Sequence, residues 1–321
     1  MKKAYKLCVV GAGRWGLNHV KTLYSLDCIV GVVDSNKSTL NEITHIYPKC
    51  LTFSKLTHSL KDNFDAYIVS TPPNTHFNIA KLIIENGKPV LVEKPLTLNL
   101  NDAIELNKLA KKKNVNLMVG HLLLFHPAFK KLKQLIENKK LGEIQYIYSN
   151  RLNLGSFRND ENVLWSFAPH DIALFNYFFQ ESPIEVVSSG IDILQEGIHD
   201  TSITSFKYMG SKMGHIYVSW LHPFKEHRFI IVGSNGMIHY EDAIENKPLM
   251  FYDKTVDLDG EIPKSRMGQS LEIKYKNQIP LTEEIKYFIS KIDKGKIEIA
   301  NGDSAVEVMK ILDKATKSLI R

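Results

Sequence analysis

The chain has 321 residues, 44% hydrophobic and 24% charged, which excludes the disordered and fibrous classes and is long enough for two hydrophobic cores. Its 41 Lys+Arg exceed its 35 Asp+Glu for a net charge of +6, but only 6 of the cations are Arg and the lysines are scattered, so no nucleic-acid partner is expected. Cys8, Cys28 and Cys50 form no C-x-x-C pair and no stretch approaches the ~20 apolar residues of a membrane span, so the expectation is a cytoplasmic chain with no disulfide framework, no metal and no membrane partner.

Up to residue 120, short β-branched runs alternate with helical patterns. Residues 5–10, 28–33, 66–70, 89–92 and 115–119 read as strands, with amphipathic helices such as 75–86 and 100–113 between them. Strands bounded by helices imply right-handed crossovers and a parallel sheet covered on both faces. Two helical segments, near 127–138 and 168–180, lead into a different texture. Residues 144–153, 183–194, 201–208, 215–221 and 229–232 read as strands separated by turn signals such as Gly233-Ser234-Asn235-Gly236, and helices over 280–293 and 303–319 close the chain. The expectation is an α/β domain over residues 1–122 and an α+β domain over 123–321 with a large, mostly antiparallel open sheet. In 215–221, Tyr217 and Leu221 oppose Ile216, Val218 and Trp220, so neither face is plainly wet, and a second subunit is expected to cover one of them.

The first strand runs straight into Gly11-Ala12-Gly13-Arg14-Trp15-Gly16 and then a helical pattern. Glycine suits these places because the first allows a tight turn, the second lets backbone approach a pyrophosphate and the third lets helix pack on strand. Asp34 ends the second strand, where a carboxylate accepts hydrogen bonds from an adenosine ribose and repels a 2′-phosphate, favouring NAD over NADP. The blander reading is a structural glycine turn with Asp34 capping the next helix, and Lys37 stands where it would receive a 2′-phosphate. Ser70-Thr71-Pro72-Pro73-Asn74-Thr75-His76 breaks the chain at the next strand end, where open parallel sheets bind ligands, although Asn74 or Thr75 as a helix cap explains it equally. Val92-Glu93-Lys94-Pro95 ends a third strand and aims Lys94 at the same crevice.

These motifs, in this order, resemble the glucose-fructose oxidoreductase, inositol dehydrogenase and rhizopine catabolism (Gfo/Idh/MocA) superfamily, with Gly120-His121 and Phe125-His126-Pro127 similar to its passage between domains. The resemblance implies a Rossmann domain and homo-oligomers, dimers or tetramers, built through the C-terminal sheet. It implies that Lys94 faces substrate and that Gly11, Gly13, Arg14, Trp15, Gly16, Asp34, Thr71, Pro72, Asn74, His76 and Glu93, with Lys94, lie on the cofactor side. Family members carry an Asp and, four residues later, a His. Here His170 matches, but the Asp position is Ser166, which leaves His170 to work with Lys94, with Asp171 or Ser166 behind it.

The stretch from Asn162 to Asp171, with Arg158 before it and Ser219-Trp220-Leu221-His222-Pro223-Phe224-Lys225 after it, resembles the branch that oxidises UDP-N-acetylglucosamine at the 3-hydroxyl for a partner sugar aminotransferase, in routes to 3-amino sugars of lipid A and other lipopolysaccharide or surface glycans. Cations for a diphosphate and an aromatic wall are then sought among Arg151, Arg158, Lys225, Arg228, Trp165 and Trp220, each of which equally suits a surface or core role. Arg158, Trp165, His170 and Asp171, with Lys94, form the expected substrate set. A UDP-sugar acid 3-dehydrogenase, an NADPH-linked 3-keto-deoxysugar reductase, a cyclitol dehydrogenase and a non-catalytic nucleotide sensor stay open as alternatives.

Overall fold

The computed structural model describes residues 4–155, 157–159, 161–257, 262–293 and 295–319. It divides into two compact units: one runs to Phe125 and includes Gln278–Met309, and the other is His126–Asn277 with the chain from Lys310 onward. The division expected at 122 therefore falls at 125, and the segment carrying the penultimate helix rejoins the first unit.

The first unit holds β1 (Lys6–Val10), α1 (Arg14–Ser25), β2 (Ile29–Val33), α2 (Lys37–Ile46), β3 (Leu51–Phe53), α3 (Leu56–Ser59), β4 (Ala66–Val69), α4 (His76–Glu85), β5 (Val90–Val92), α5 (Leu100–Lys113) and β6 (Leu117–Val119). All six strands are parallel in the order β3-β2-β1-β4-β5-β6. The order reverses between β1 and β4, so the turns after those two strands face one crevice. Leu7–Val10, Ala66–Val69 and Val90–Val92 are buried on both faces, which is why they read as continuous apolar runs. Helix α1 packs through Gly16, His19, Val20 and Leu23, spaced i, i+3, i+4, i+7.

The second unit holds α6 (Pro127–Glu137), β7 (Ile144–Leu154), α7 (Val163–Phe167), α8 (Pro169–Phe179), β8 (Glu185–Ile191), β9 (Thr201–Lys207), β10 (Met213–Ser219), β11 (Leu221–Gly233), β12 (Gly236–Glu241), β13 (Leu249–Asp257) and β14 (Lys264–Glu272). The sheet order is β14-β13-β12-β11-β7-β10-β9-β8, antiparallel except where β10 lies parallel to β7. One face packs Ile147, Phe206, Ile216, Val218, Phe229 and Ile231 against α6 and α8, with Phe129 on Phe229 (5.1 Å between ring centroids) and Phe175 on Phe206 (5.5 Å). The other face leaves Val187, Ile203 and Met213 exposed beside the stacked rings of Tyr148 and His215. Helix α9 (Pro280–Ser290) belongs to the first unit, and α10 (Gly302–Leu319) closes the chain.

Candidate active site

The three loop glycines answer to three constraints. Gly11 has φ +89°, and a Cβ there would lie 2.7 Å from Thr71 Cγ2 and 2.8 Å from the Thr71 nitrogen. A Cβ on Gly16 would strike the Gly11 carbonyl and lie 2.8 Å from Ser70 Oγ. Gly13 is different: among the described residues nothing lies within 4 Å of its Cβ position. It begins α1 with no side-chain cap, and the first turn carries no acidic residue, so those amides are left to an anion. Arg14 and Trp15 are exposed at this helix end. Asp34 accepts the Ala12 N–H at Oδ2 and the Asn36 N–H at Oδ1, both at 2.8 Å, which ties the loop to the end of β2 and leaves lone pairs for ribose hydroxyls. Asn36, not Asp34, caps α2, accepting the Ser38 N–H at 2.9 Å. The open cradle, the uncapped helix end and the carboxylate fit a dinucleotide.

After β4, Ser70 Oγ donates to the Gly11 carbonyl at 2.8 Å and the Thr75 hydroxyl donates to Thr71 Oγ1 at 2.7 Å, so neither Asn74 nor Thr75 serves as a side-chain cap. Pro72 and Asn74 are exposed on the turn. The His76 ring is 1% exposed and lies between the Thr71 carbonyl (2.8 Å from Nε2) and the Pro95 carbonyl (2.9 Å from Nδ1), so it ties the two turns together.

Beyond β5, Glu93 is held from several sides. Its Oε1 accepts the Trp15 indole N–H and the His19 ring N–H (2.7 Å), and its Oε2 lies 3.3 Å from the Lys94 backbone nitrogen. A Cβ on Gly120 would sit 2.9 Å from Oε2, which reserves that place for glycine. Burial alone would raise this carboxyl, but the His19 and Trp15 donors and the Lys94 charge hold it below the ordinary value, and it stays ionised. Burial pushes His121 down to about 4, so that ring is neutral. Lys94 is half-buried, joined to Pro95 by a cis peptide. The sequence reading missed His19; the trace it left is the four-residue spacing from Trp15, which puts both rings on one side of α1. A cleft of about 970 Å³, lined by Asp65, Lys88, Asn116 and Asp303, opens at the amino ends of the strands and belongs to no part of this arrangement.

In the second unit, His170 follows Pro169 at the start of α8 and is half-buried. Ser166 is the penultimate residue of α7 and is buried. Ala168 stays helical (φ −71°, ψ −23°), with Ala168 N–H to Leu164 and Ile172 N–H to Ala168 both at 2.9 Å, so the 166–170 spacing carries across the break. Asp171 is fully buried, and Arg151 grips it through Nε (2.6 Å) and Nη2 (3.0 Å) while Ser149 Oγ donates at 2.7 Å, so the two charges are engaged with each other. Trp220 is fully buried with its N–H on Asp200, a core role. The Trp165 indole donates to Thr316 Oγ1 at 2.8 Å with the ring half-buried, and Arg228 is engaged by Glu226 and Glu241. Arg158, half-exposed beside Glu161 (3.0 Å), and exposed Lys225 keep outward-facing charge.

Residues 5–121 match the oxidoreductase family with an NAD-binding Rossmann fold, GFO/IDH/MocA, and residues 129–239 match the GFO/IDH/MocA C-terminal domain. The chain is 28% identical over 184 residues to UDP-N-acetylglucosamine 3-dehydrogenase of Acidithiobacillus ferrooxidans, a match spanning 57% of each chain. It is 25% identical over 328 residues to myo-inositol 2-dehydrogenase of Thermotoga maritima, spanning 98% of this chain and 96% of that one. A solved structure of UDP-N-acetylglucosamine 3-dehydrogenase from Acidithiobacillus ferrooxidans superposes with a TM-score of 0.86 at 22% identity, covering 99% of this chain and 98% of that one. The first unit is thus an NAD-binding Rossmann domain.

Proposed function

The chain belongs to the Gfo/Idh/MocA oxidoreductase family, and on that premise we propose that it is an NAD-dependent dehydrogenase that oxidises the 3-hydroxyl of UDP-N-acetylglucosamine. The observation that carries the reading is the set of turns after β1, β4 and β5: an open glycine cradle, Asp34 at a ribose position, and Lys94 beside an ionised Glu93.

When bound, NAD⁺ supplies the hydride acceptor. The amides at the head of α1 would hold its phosphates and Asp34 its ribose. His170 takes the proton of the substrate hydroxyl, and such general-base assistance is worth roughly 10²–10⁴ in rate. Lys94 stabilises the oxygen as it gains negative charge. The Arg151–Asp171 pair braces the first turn of α8, which carries His170.

The 28% identity to the UDP-N-acetylglucosamine enzyme supports the nucleotide sugar, and the outward charges of Arg158 and Lys225 suit a diphosphate. The product is a 3-keto sugar, a substrate for a cytoplasmic aminotransferase making 3-amino sugars for lipid A or other surface glycans. A second reading, a cyclitol dehydrogenase, draws on the end-to-end match to myo-inositol 2-dehydrogenase. The exposed apolar side chains on the open sheet face support a homo-oligomer; a monomer in sedimentation at micromolar concentration would rule it out. To test the substrate, the purified protein is incubated with NAD⁺ and a panel of UDP-sugars and cyclitols, and products are identified by mass spectrometry. A UDP-linked keto sugar is expected, an oxidised cyclitol selects the second reading, and no oxidised product from any substrate refutes both.

A further inference from the structure

Helix α9 buries Leu281, Glu284, Ile285 and Phe288, and in this stripe Glu284 stands where an apolar side chain would pack. It is 1% exposed, and among the described residues neither of its carboxylate oxygens has a hydrogen-bond partner. Helix α9 packs on α1, which carries Trp15 and His19, and on the single turn Leu122–Phe125 that follows Gly120 and His121. Those elements flank Glu93: α1 supplies the two donors to its Oε1, and Gly120 leaves room for its Oε2.

We propose that Glu284 is a positioning residue, a buried neutral acid that keeps Glu93 the single carboxylate beside Lys94. Two carboxylates in one low-dielectric pocket do not both ionise, and the one with donors keeps the charge. Glu93 has Trp15, His19 and the Lys94 charge; Glu284 has no donor among the described residues, so the proton stays on it. Burial holds the Glu284 carboxyl well above the ordinary range, and the Glu93 charge raises it further. Of the titratable groups that flank Glu93, His19 is bonded to it and His121 is neutral through burial, while on α9 Glu283 and Lys286 pair with each other at 3.2 Å. Ionising Glu284 sets a second negative charge against Glu93, which is relieved only if Glu93 takes up a proton or leaves its donors. Either outcome loosens the Trp15 and Lys94 arrangement at high pH. The consequence for turnover rests on the dehydrogenase reading; the protonation state does not.

The test pairs infrared spectra of the protein without cofactor at pH 7 with NAD⁺ affinity measured across alkaline pH. The wild type is expected to show a protonated-carboxyl C=O band that Glu284→Gln removes. The variant is expected to bind NAD⁺ within about twofold of wild type at pH 7 and to hold that affinity to higher pH. Absence of the band, its survival in Glu284→Gln, a loss of about tenfold or more in affinity at pH 7, or an unmoved alkaline limb would each overturn the proposal. Glu284→Leu, which fills the apolar stripe, replaces the amide if that variant does not fold, and it must lose the same band. Since the band needs neither cofactor nor substrate, a protein that bound no nicotinamide would defeat the dehydrogenase reading and still leave Glu284 tested.

Discussion

Replacing Gly13 by Val and Gly16 by Ala is expected to damage cofactor binding by two different routes. Gly13 has φ −65° and ψ −170°, a backbone any residue adopts, and its Cβ position is open to 4 Å. A valine there is expected to change stability by no more than about 0.5 kcal/mol, which for a unit of this size moves the melting temperature by less than about 2 °C. The side chain would nevertheless stand over the first-turn amides of α1, and a loss of at least about tenfold in NAD⁺ affinity, ~1.4 kcal/mol, is expected. At Gly16 the added carbon meets the Gly11 carbonyl oxygen and lies 2.9 Å from its carbon and 2.8 Å from Ser70 Oγ. Backbone does not swing aside, so overpacking costs about 1–3 kcal/mol and lowers the melting temperature by roughly 2–12 °C. Thermal melts by circular dichroism and NAD⁺ titration by calorimetry read the two effects separately. Wild-type affinity in Gly13→Val would put the phosphates elsewhere, and a Gly13→Val melt as low as that of Gly16→Ala would mean that the cradle is not open.

Asp34→Ala is expected to narrow a wild-type preference for NAD over NADP in parallel titrations, and equal wild-type affinities would remove the basis for that preference. Arg151→Leu strands the buried Asp171 charge, so a loss of about 3–5 kcal/mol, roughly 6–20 °C in the melt of the second unit, is expected; a loss below about 1 kcal/mol would show that the pair is not desolvated as described. Burial and the Glu93 charge raise Glu284, so the folded chain keeps a proton that the unfolded chain releases above about 4.3. The stability this neutral acid contributes is therefore full below that pH and falls as pH rises above it, by up to about 1.4 kcal/mol per unit, and Glu284→Gln is expected to melt progressively above wild type as pH is raised from about 5; parallel melts would contradict it.

What the sequence made legible followed from backbone requirements. Gly11 and Gly16 answer to a positive φ and a close backbone contact, Gly13 keeps an open Cβ position, and the doubly buried strands read as unbroken apolar runs. Strand β3 left no such trace, being three residues at a sheet edge with little burial. The nine residues of β14 are exposed throughout and carry no alternation, β12 and β13 were also unread, and the inner run 229–232 proved to be part of a thirteen-residue strand. The parallel pairing of β10 with β7 depends on topology, not on either strand's composition. At the site, the His19–Glu93 bond joins residues 74 apart, beyond any local pattern. Asp171 adjoins His170 in sequence, but one step along α8 turns the side chain by about 100°, and Asp171 meets Arg151 and Ser149 of β7, a pairing no local pattern announces.

The measurement that bears most directly on the proposed chemistry is the kinetics of Lys94→Ala, His170→Ala and the double variant on the substrate found in the panel, with NAD⁺ affinity measured on the same preparations. Each single substitution is expected to lower kcat at least ~10²-fold with NAD⁺ binding nearly unchanged, and the double variant to lose less than the product of the two, because groups handling one proton act as a unit. A single variant that kept its kcat, or lost NAD⁺ affinity in place of rate, would contradict the assignment of these two residues to the hydroxyl.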